Sequence, residues 1–541
     1  GSIYGLVIGI GFMVSPSVTA LGIGYFGLQF GWAFLVTVSL AHLAFGSALG
    51  ISINRFSTKY STGLLNQFVT KSHHMISNYK SHGVSDSEKA SKRILILGGG
   101  FAGMYTALHL EKIFKNDESV EITLVNRDNF FLFTPMLSEV PSSGIEAKHV
   151  ISPIRAFFNK VTFQQAEVHS IDLKKQLVTC SHCPVCTIYQ LEYDYLVLAL
   201  GSVTNFYGLH GVAEHSFQMK TLSDAMALRN HVIDMFEHAD LEKDVETRRR
   251  LLTFVVAGGG FAGVEVAAEL NDFVYVSRKL YRNIHPDDVK LILVEGGSRL
   301  MPEISDDLAA YALDKLTKRG IAFHLNTRLI DAGENKVELD DGSPFSIPTN
   351  TLIWTAGVSP DPIIQSLPCG KDKRGKIMVN EYLEVPDLPG VWALGDCAHI
   401  PDPETGSSYP PTAQHAVREG RRAAHNIAAT IRGESGDKKP FHYTPLGTLA
   451  PLGHRTAVAE IMGFKFSGFF AWWLWRTVYL TKLPGLDRKI RVAIDWTLNL
   501  FFQRDIVQLK VFMKPAPLEK SSSSEEYNQQ KQLLGGNSPN S

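Results

Sequence analysis

The hexapeptide Gly-Gly-Gly-Phe-Ala-Gly occurs twice, at residues 98–103 and 258–263. Each copy is a G-x-G-x-x-G. Each follows an apolar run, Arg93–Leu97 or Leu251–Ala257, and leads into a helical pattern, Met104–Lys112 or Val264–Phe273. In a strand–turn–helix unit the first glycine permits the tight turn, the second lets a pyrophosphate approach the backbone, and the third lets helix pack on strand. The phosphates then lie at a helix N-terminus, where unpaired N–H groups and the dipole favour negative charge. Gly98, Gly100 and Gly103 form one candidate cradle; Gly258, Gly260 and Gly263 form another. One match alone is weak. Two in one chain, each in the right context, imply two dinucleotides, a flavin and a nicotinamide.

The residue ending the second strand of such a unit faces the ribose. In the second copy Val289–Val294 ends at Glu295. A carboxylate there accepts from a free 2′-hydroxyl and repels a 2′-phosphate, which favours NADH over NADPH; a solvated strand-end glutamate is the alternative. In the first copy Val120–Val125 ends at Asn126-Arg127-Asp128. The Asn126 amide can accept from a ribose hydroxyl, and Arg127 could lie near the adenosine. Further short buried strands, Tyr195–Leu200 and Leu352–Ala356, end at Gly201 and Gly357, two more cofactor-binding candidates, and Gly390–Leu394 ends at Gly395-Asp396.

Cysteine offers a different chemistry. Cys180, Cys183 and Cys186 form a C-x2-C-x2-C run at the tip of a hairpin expected from Val161–Val178 and Ile188–Leu191. Such a cluster can hold zinc, but a fourth ligand is needed. A redox-labile pair and an inert surface loop are the other readings. Cys397, beside Asp396, reads as a small packed residue.

The elements that position these residues alternate as strand, helix, strand, a doubly wound pattern. The fold class expected is α/β, with two Rossmann-like dinucleotide-binding domains, one inserted in the other. The first nucleotide domain spans 93–216 and 351–445, its sheet resuming near Leu352, and the second spans 217–350. With five Cys in 541 residues there is no disulfide framework. A net charge of −1 leaves no electrostatic footprint for nucleic acid.

No Asp, Glu, Lys or Arg occurs from Gly1 to Asn54. Residues 1–55 therefore read as two transmembrane helices, each near the ~20 residues a span requires. A signal peptide is disfavoured by the length of the run and the lack of a basic start. The chain opens on Gly1 rather than Met, which leaves room for a preceding piece. Arg55, Lys59 and Lys71 follow, which favours the cytoplasmic side for the remainder. Residues 56–92 read as a polar linker and 513–541 as a disordered tail. Between them, 446–512 mixes Trp472, Trp473, Trp475, Tyr479 and Trp496 with Lys482, Arg488, Lys489 and Arg491. That composition suits helices at a membrane interface, or an aromatic core or dimer contact.

From Lys92 to Lys510 the chain resembles the type II NADH dehydrogenases, single-chain NADH:quinone oxidoreductases. The matching motifs are Gly98–Gly103, Asn129–Leu137, Tyr195–Ser202, Gly258–Glu265, Trp354–Val358, Val391–Asp396, Pro410–Glu419 and the Trp-rich C-terminus. The N-terminal apolar pair is not part of the usual family pattern. The resemblance implies FAD on the first cradle with Asn126 at its ribose and Asp396 at its ribityl-phosphate part, NADH on the second with Glu295, and a C-terminal membrane-anchoring region. It implies that Glu265 lies near nicotinamide and flavin, orienting NADH or handling protons. Ala413–Glu419 resembles the family's quinone-site motif A-Q-x-A-x-Q-Q, with Arg418 and Glu419 in place of the later glutamines. Gln414 could then bond the flavin or a quinone carbonyl, while Arg418 could polarise a carbonyl or pair with Glu419. The implied activity is oxidation of NADH with two-electron transfer to a membrane quinone, ubiquinone or menaquinone, without proton pumping. The expected setting is the cytoplasmic side of a cell inner membrane, with the lipid bilayer as partner and a homodimer possible in principle. Alternatives are a sulfide:quinone oxidoreductase-like enzyme and a non-catalytic membrane-tethered flavoprotein sensor.

Overall fold

The computed structural model describes residues 92–182, 187–404 and 406–509. The expected transmembrane pair, the linker, Cys183, Cys186 and the C-terminal tail lie outside these residues. Among the described residues no helix is long and apolar enough to cross a membrane.

Two parallel five-stranded sheets carry the two hexapeptides. In the first, Lys92–Leu97 lies between Val120–Asn126 and Tyr195–Leu198, with Thr162–Gln165 and Val391–Ala393 at the edges. In the second, Thr253–Ala257 lies between Lys290–Val294 and Thr351–Trp354, with Ile321–His324 and Ser216–Gln218 outside. The central strands read as unbroken apolar runs because both faces of a parallel sheet are covered; Ile94–Leu97 and Phe254–Ala257 are all buried. In each sheet the chain leaves the central strand to one side and later returns on the other. The glycine turns sit at this switch point, where a crevice opens beyond the strand ends.

Two expectations are corrected here. Thr351–Trp354 pairs with Ser216–Gln218 and Thr253–Ala257, so it belongs to the second sheet; the first resumes only at Val391–Ala393. A short apolar run fits either sheet, and only tertiary pairing chooses. Val161–Val178 is not one hairpin strand. Thr162–Gln165 edges the first sheet, while Glu167–Asp172, Leu177–His182 and Thr187–Glu192 form a separate antiparallel meander. Cys180 lies on the middle strand, opposite Val168 and Tyr189. It is fully buried, and burial pushes its thiol up to about 11. A neutral thiol packed in the core suits an apolar role rather than a metal-ligating thiolate.

Six helices matter for the site: α1 (Phe101–Ile113), α2 (Leu222–Leu241), α3 (Phe261–Ser277), α4 (Ala413–Arg432), α5 (Phe469–Lys482) and α6 (Leu486–Phe501). α2 starts at a reciprocal cap in which Asp224 N–H donates to Thr221 Oγ1 and Thr221 N–H to Asp224 Oδ2. α4 crosses α1 with main chain nearly touching main chain: a Cβ on Gly420 would lie 2.6 Å from the Ala102 carbonyl and 2.9 Å from Thr106 N. α5 packs on a C-terminal antiparallel sheet, Gly447–Pro451, Ala457–Ile461 and Phe464–Gly468. α6 is tied to the loop after Glu139, with Asn499 Nδ2 donating to Gly144 O at 2.7 Å and Asp495 Oδ2 2.5 Å from His149 Nδ1.

Gly420→Ala is expected to lower stability. Alanine's better helix propensity is worth about 1 kcal/mol, but neither backbone at this crossing can rotate away, and overpacking costs about 1–3 kcal/mol. Thermal melting reads the sign, and a raised Tm would show that the helices separate freely.

Candidate active site

Both cradles are built alike. At Gly98 and Gly258 φ is +106° and +111°, a region closed to ordinary side chains. A Cβ on Gly103 or Gly263 would strike the Gly98 or Gly258 carbonyl oxygen at 1.9 or 1.8 Å, so helix and turn are in backbone contact. Gly100 and Gly260 differ: a Cβ there meets nothing within 4 Å. The second glycine of each motif therefore borders open space, as an approaching pyrophosphate requires. The strand-end residues occupy equivalent places. Gly99 N–H donates to Asn126 Oδ1 at 2.8 Å, and Gly259 N–H to Glu295 Oε2 at 2.5 Å. Glu295 Oε1 also accepts from Gly297 N–H at 2.6 Å. Arg127 stands apart, with an exposed side chain 4.0 Å from Asp128.

Asp396 is the middle residue of the short turn Gly395–Cys397 after Val391–Ala393. Its Oδ2 accepts from Ser202 Oγ at 2.6 Å, and Lys220 Nζ lies 2.6 Å from that hydroxyl and 3.5 Å from Oδ2. Lys220 was not among the sequence candidates; its signal is a lone basic residue between the half-buried strand Ser216–Gln218 and the α2 cap. Gly201 has φ +73° and faces open space beside Ser202. Gly357 instead lies under Tyr207, whose hydroxyl would be 2.5 Å from a Cβ at that position. Cys397 packs with its thiol against the Leu198 and Leu394 carbonyls, and burial pushes it up to about 12.

On α4, Tyr443 Oη donates to Gln414 Oε1 at 3.1 Å. Arg418 lies 4.0 Å over the Tyr443 ring and donates from Nη1 to the Gln414 carbonyl at 2.8 Å. The Arg418–Glu419 pair does not form. Successive residues on a helix face different ways, and Glu419 turns inward to accept from Gly395 N–H at 2.8 Å. Its burial pushes that carboxyl up to about 7.

Glu265, in the first turn of α3, is half-buried. Ser138 Oγ donates to its Oε2 at 3.3 Å. Desolvation, then the nearby carboxylates Glu139 and Glu269, push Glu265 up to about 8, against the hydrogen bond from Ser138. Tyr479 of α5 is raised by burial and by the charge of Glu265, so the C-terminal region reaches this site. The charges of Glu139 and Glu269 act on Glu265, and those of Arg476 and Arg504 act on Glu139; these four residues were not found from sequence, because they come from four separated segments.

Residues 92–420 match the pyridine nucleotide-disulphide oxidoreductase family, and 446–505 match the NDH2 C-terminal domain. The chain is 32% identical over 423 residues to a probable NADH dehydrogenase of Dictyostelium discoideum, covering 77% of this chain and 91% of that protein. It is 30% identical over 423 residues to the type II NADH:quinone oxidoreductase Ndh of Mycobacterium tuberculosis, covering 76% and 89%. The solved structure of NDH2 from Plasmodium falciparum in complex with NADH superposes with a TM-score of 0.72 at 22% identity. That likeness covers 77% of this chain and 100% of the other, and speaks for the fold.

The open space at Gly100 and Gly260 yields a paired prediction. Gly100→Ala and Gly260→Ala should each leave unfolding free energy within about 0.5 kcal/mol of the parent. Each should weaken retention or KM of its own dinucleotide only. Equal losses for both nucleotides, measured by bound-flavin content and NADH titration, would sink the assignment of one cradle to each.

Proposed function

The chain belongs to the type II NADH dehydrogenases, and on that premise we propose that it oxidises NADH through bound FAD and reduces a membrane quinone without pumping protons. The observation that carries this reading is the duplicated cradle, closed by backbone contact at its first and third glycines and open at its second. FAD held by the first cradle would supply hydride acceptance from NADH and two-electron delivery to the quinone. The residues bind, orient and hold protons.

Gly98, Gly100 and Gly103 would cradle the FAD pyrophosphate. Asn126 keeps acceptor capacity for a ribose hydroxyl, with Arg127 at the adenosine edge. Asp396, fixed by Ser202 and Lys220, would accept from ribityl hydroxyls, with Gly201 allowing close approach. Gly258, Gly260, Gly263 and Glu295 would hold NADH, with Gly357 at the nicotinamide side. Glu265 holds a proton at neutral pH, since its carboxyl is pushed up to about 8; it is neutral below that value and ionises above it. It would orient the nicotinamide and handle the proton. The Tyr443 hydroxyl occupies Gln414 Oε1, which leaves Gln414 Nε2 to donate to flavin or to a quinone carbonyl. Arg418, held flat on Tyr443, offers its remaining N–H groups to the same acceptor.

The outer face of α6 supports a lipid partner. Leu486, Ile490, Ile494 and Leu498 recur every four residues, each about half exposed, with Phe501 and Phe502 following. Phe469 and Phe470 of α5 are exposed as well. An apolar stripe flanked by Lys489 and Arg491 suits a helix lying in a bilayer interface. Arg55, Lys59 and Lys71 argue for the cytoplasmic side of an inner membrane. A second copy of the chain is the competing occupant of the stripe, and flotation with anionic liposomes against size in detergent separates the two. Sulfide oxidation draws no support from Cys180 or Cys397, both buried as neutral thiols.

The test is NADH oxidation by the detergent-purified chain with soluble ubiquinone and menaquinone analogues, with NADPH and sulfide as alternative donors. NADH-driven quinone reduction is the expected result. Sulfide-driven turnover, or flavin bleaching without quinone reduction, would contradict the reading. Glu295→Ser should lower the NADH-to-NADPH ratio of kcat/KM about tenfold, roughly 1.4 kcal/mol of selectivity. Unchanged selectivity would remove Glu295 from the ribose site.

A further inference from the structure

Behind Glu265 lies a buried group of charges that the reading above does not use. Glu139, at the end of the turn Thr134–Glu139, is 3% exposed. Its Oε2 accepts from Trp496 Nε1 of α6 at 2.8 Å, and its Oε1 has no partner among the described residues. Its neighbour in sequence, Ser138, donates to Glu265. Around it stand Glu265 and Glu269 of α3, Arg476 of α5 and Arg504 beyond α6. Glu269 is already engaged, with Arg504 Nη1 at 2.9 Å and Ser142 Oγ at 3.1 Å, while Arg504 also lies 4.0 Å from Asp272. Arg476 is sandwiched 4.1 Å over Trp472 and 4.5 Å over Trp496, and its buried Nε lacks a hydrogen-bond partner among the described residues. From α2, Arg229 Nε reaches the same loop at Ser143 Oγ, 2.7 Å.

A lone ionised carboxylate in such a place is costly, and the usual resolution is to stay protonated. Desolvation, then the charge of Glu269, push Glu139 up to about 7, against Arg476, Trp496 and Arg504. The charges of Glu139 and Glu265 oppose one another, so ionising one strengthens the proton's hold on the other.

We propose that Glu139 is a second, interior acid serving the quinone-reducing half of the reaction, holding a proton behind Glu265 under the control of Trp496. This rests on the reading of Glu265 as an acid near both nicotinamide and flavin. The balance requires a proton: NADH + H⁺ + quinone gives NAD⁺ + quinol. The hydride carries two electrons and one proton, and the second proton comes from water. Glu139 supplies that proton through Glu265 and is refilled from solvent. It touches neither substrate nor flavin in this scheme and acts as a positioning residue.

The full-length holoenzyme is followed by stopped flow in its two half-reactions, flavin reduction by NADH and reoxidation by a soluble quinone, across pH 5–9. In Glu139→Gln, reduction should stay within about twofold of the parent. Reoxidation should slow about tenfold or more and lose its titration step near neutrality. Glu139→Asp should restore part of that step. Trp496→Phe removes a bond that favours the ionised form, so it should move the step to higher pH. An infrared pH-difference spectrum should show a protonated-carboxyl band that Glu139→Gln abolishes. An unchanged reoxidation profile in Glu139→Gln would overturn the proposal, as would equal slowing of both half-reactions with the infrared band retained. If Glu139→Gln does not fold, the infrared titration of the Trp496→Phe protein decides, and an unshifted band refutes the control by Trp496. If instead Glu265→Gln leaves both half-reactions unaltered, the Glu265 reading fails, while the infrared band still reports on Glu139.

Discussion

Main chain lies against main chain where α1 and α3 start, because Gly103 and Gly263 leave no room for a side chain over the Gly98 and Gly258 carbonyls. This contact places each helix N-terminus directly over the end of its central strand, so the first-turn amides face the crevice instead of neighbouring side chains. Asn126 and Glu295 then tie the loop from the other side by accepting from its second amide. The crossing of α4 over α1 at Gly420 extends the same principle, bringing Gln414 and Glu419 to the first sheet's switch point. A side chain at any of these glycines would move a helix that carries a functional group.

The interior concentrates charge around Glu139, Glu265 and Glu269. Two unit charges 4 Å apart interact by about 4 kcal/mol at an effective dielectric near 20, so Glu139, Glu265 and Glu269 cannot all ionise freely. Arg504 engages Glu269, which leaves the remaining two carboxyls to hold protons. Across the first sheet, Glu419 is likewise buried against an amide rather than a cation. Desolvation is the leading cause of all three upward shifts. At Asp396, by contrast, the Ser202 hydroxyl donates and the Lys220 ammonium stands beside it.

α6 has two apolar faces. Val492, Ala493 and Trp496 pack inward, while Leu486, Ile490, Ile494 and Leu498 point out. The helix thus presents one apolar face to the core and another, exposed, to the outside, and its buried face reaches Glu139 through a single hydrogen bond, from Trp496. The aromatic contacts Trp475–Trp496 and Phe133–Tyr479 join the same region to the Thr134–Glu139 turn.

The sequence by itself determined the two nucleotide units. The need for zero side-chain volume at the turn is local, and glycine alone meets it, so spacing is enough to read the cradles and their strand-end acceptors Asn126 and Glu295. The family resemblance likewise pointed to Asp396, Glu265 and Gln414 through short contiguous motifs. Tertiary structure alone decided the rest. A four-residue run such as Thr351–Trp354 fits either sheet until hydrogen-bond register assigns it. Cys180, read with its neighbours as a cluster, is turned into the core by strand alternation. Lys220 meets Ser202 and Asp396, and Glu139 meets Glu265, Arg476 and Trp496, only because distant segments converge. Burial, which determines whether a carboxyl holds its proton, belongs to that convergence and to no single stretch of chain.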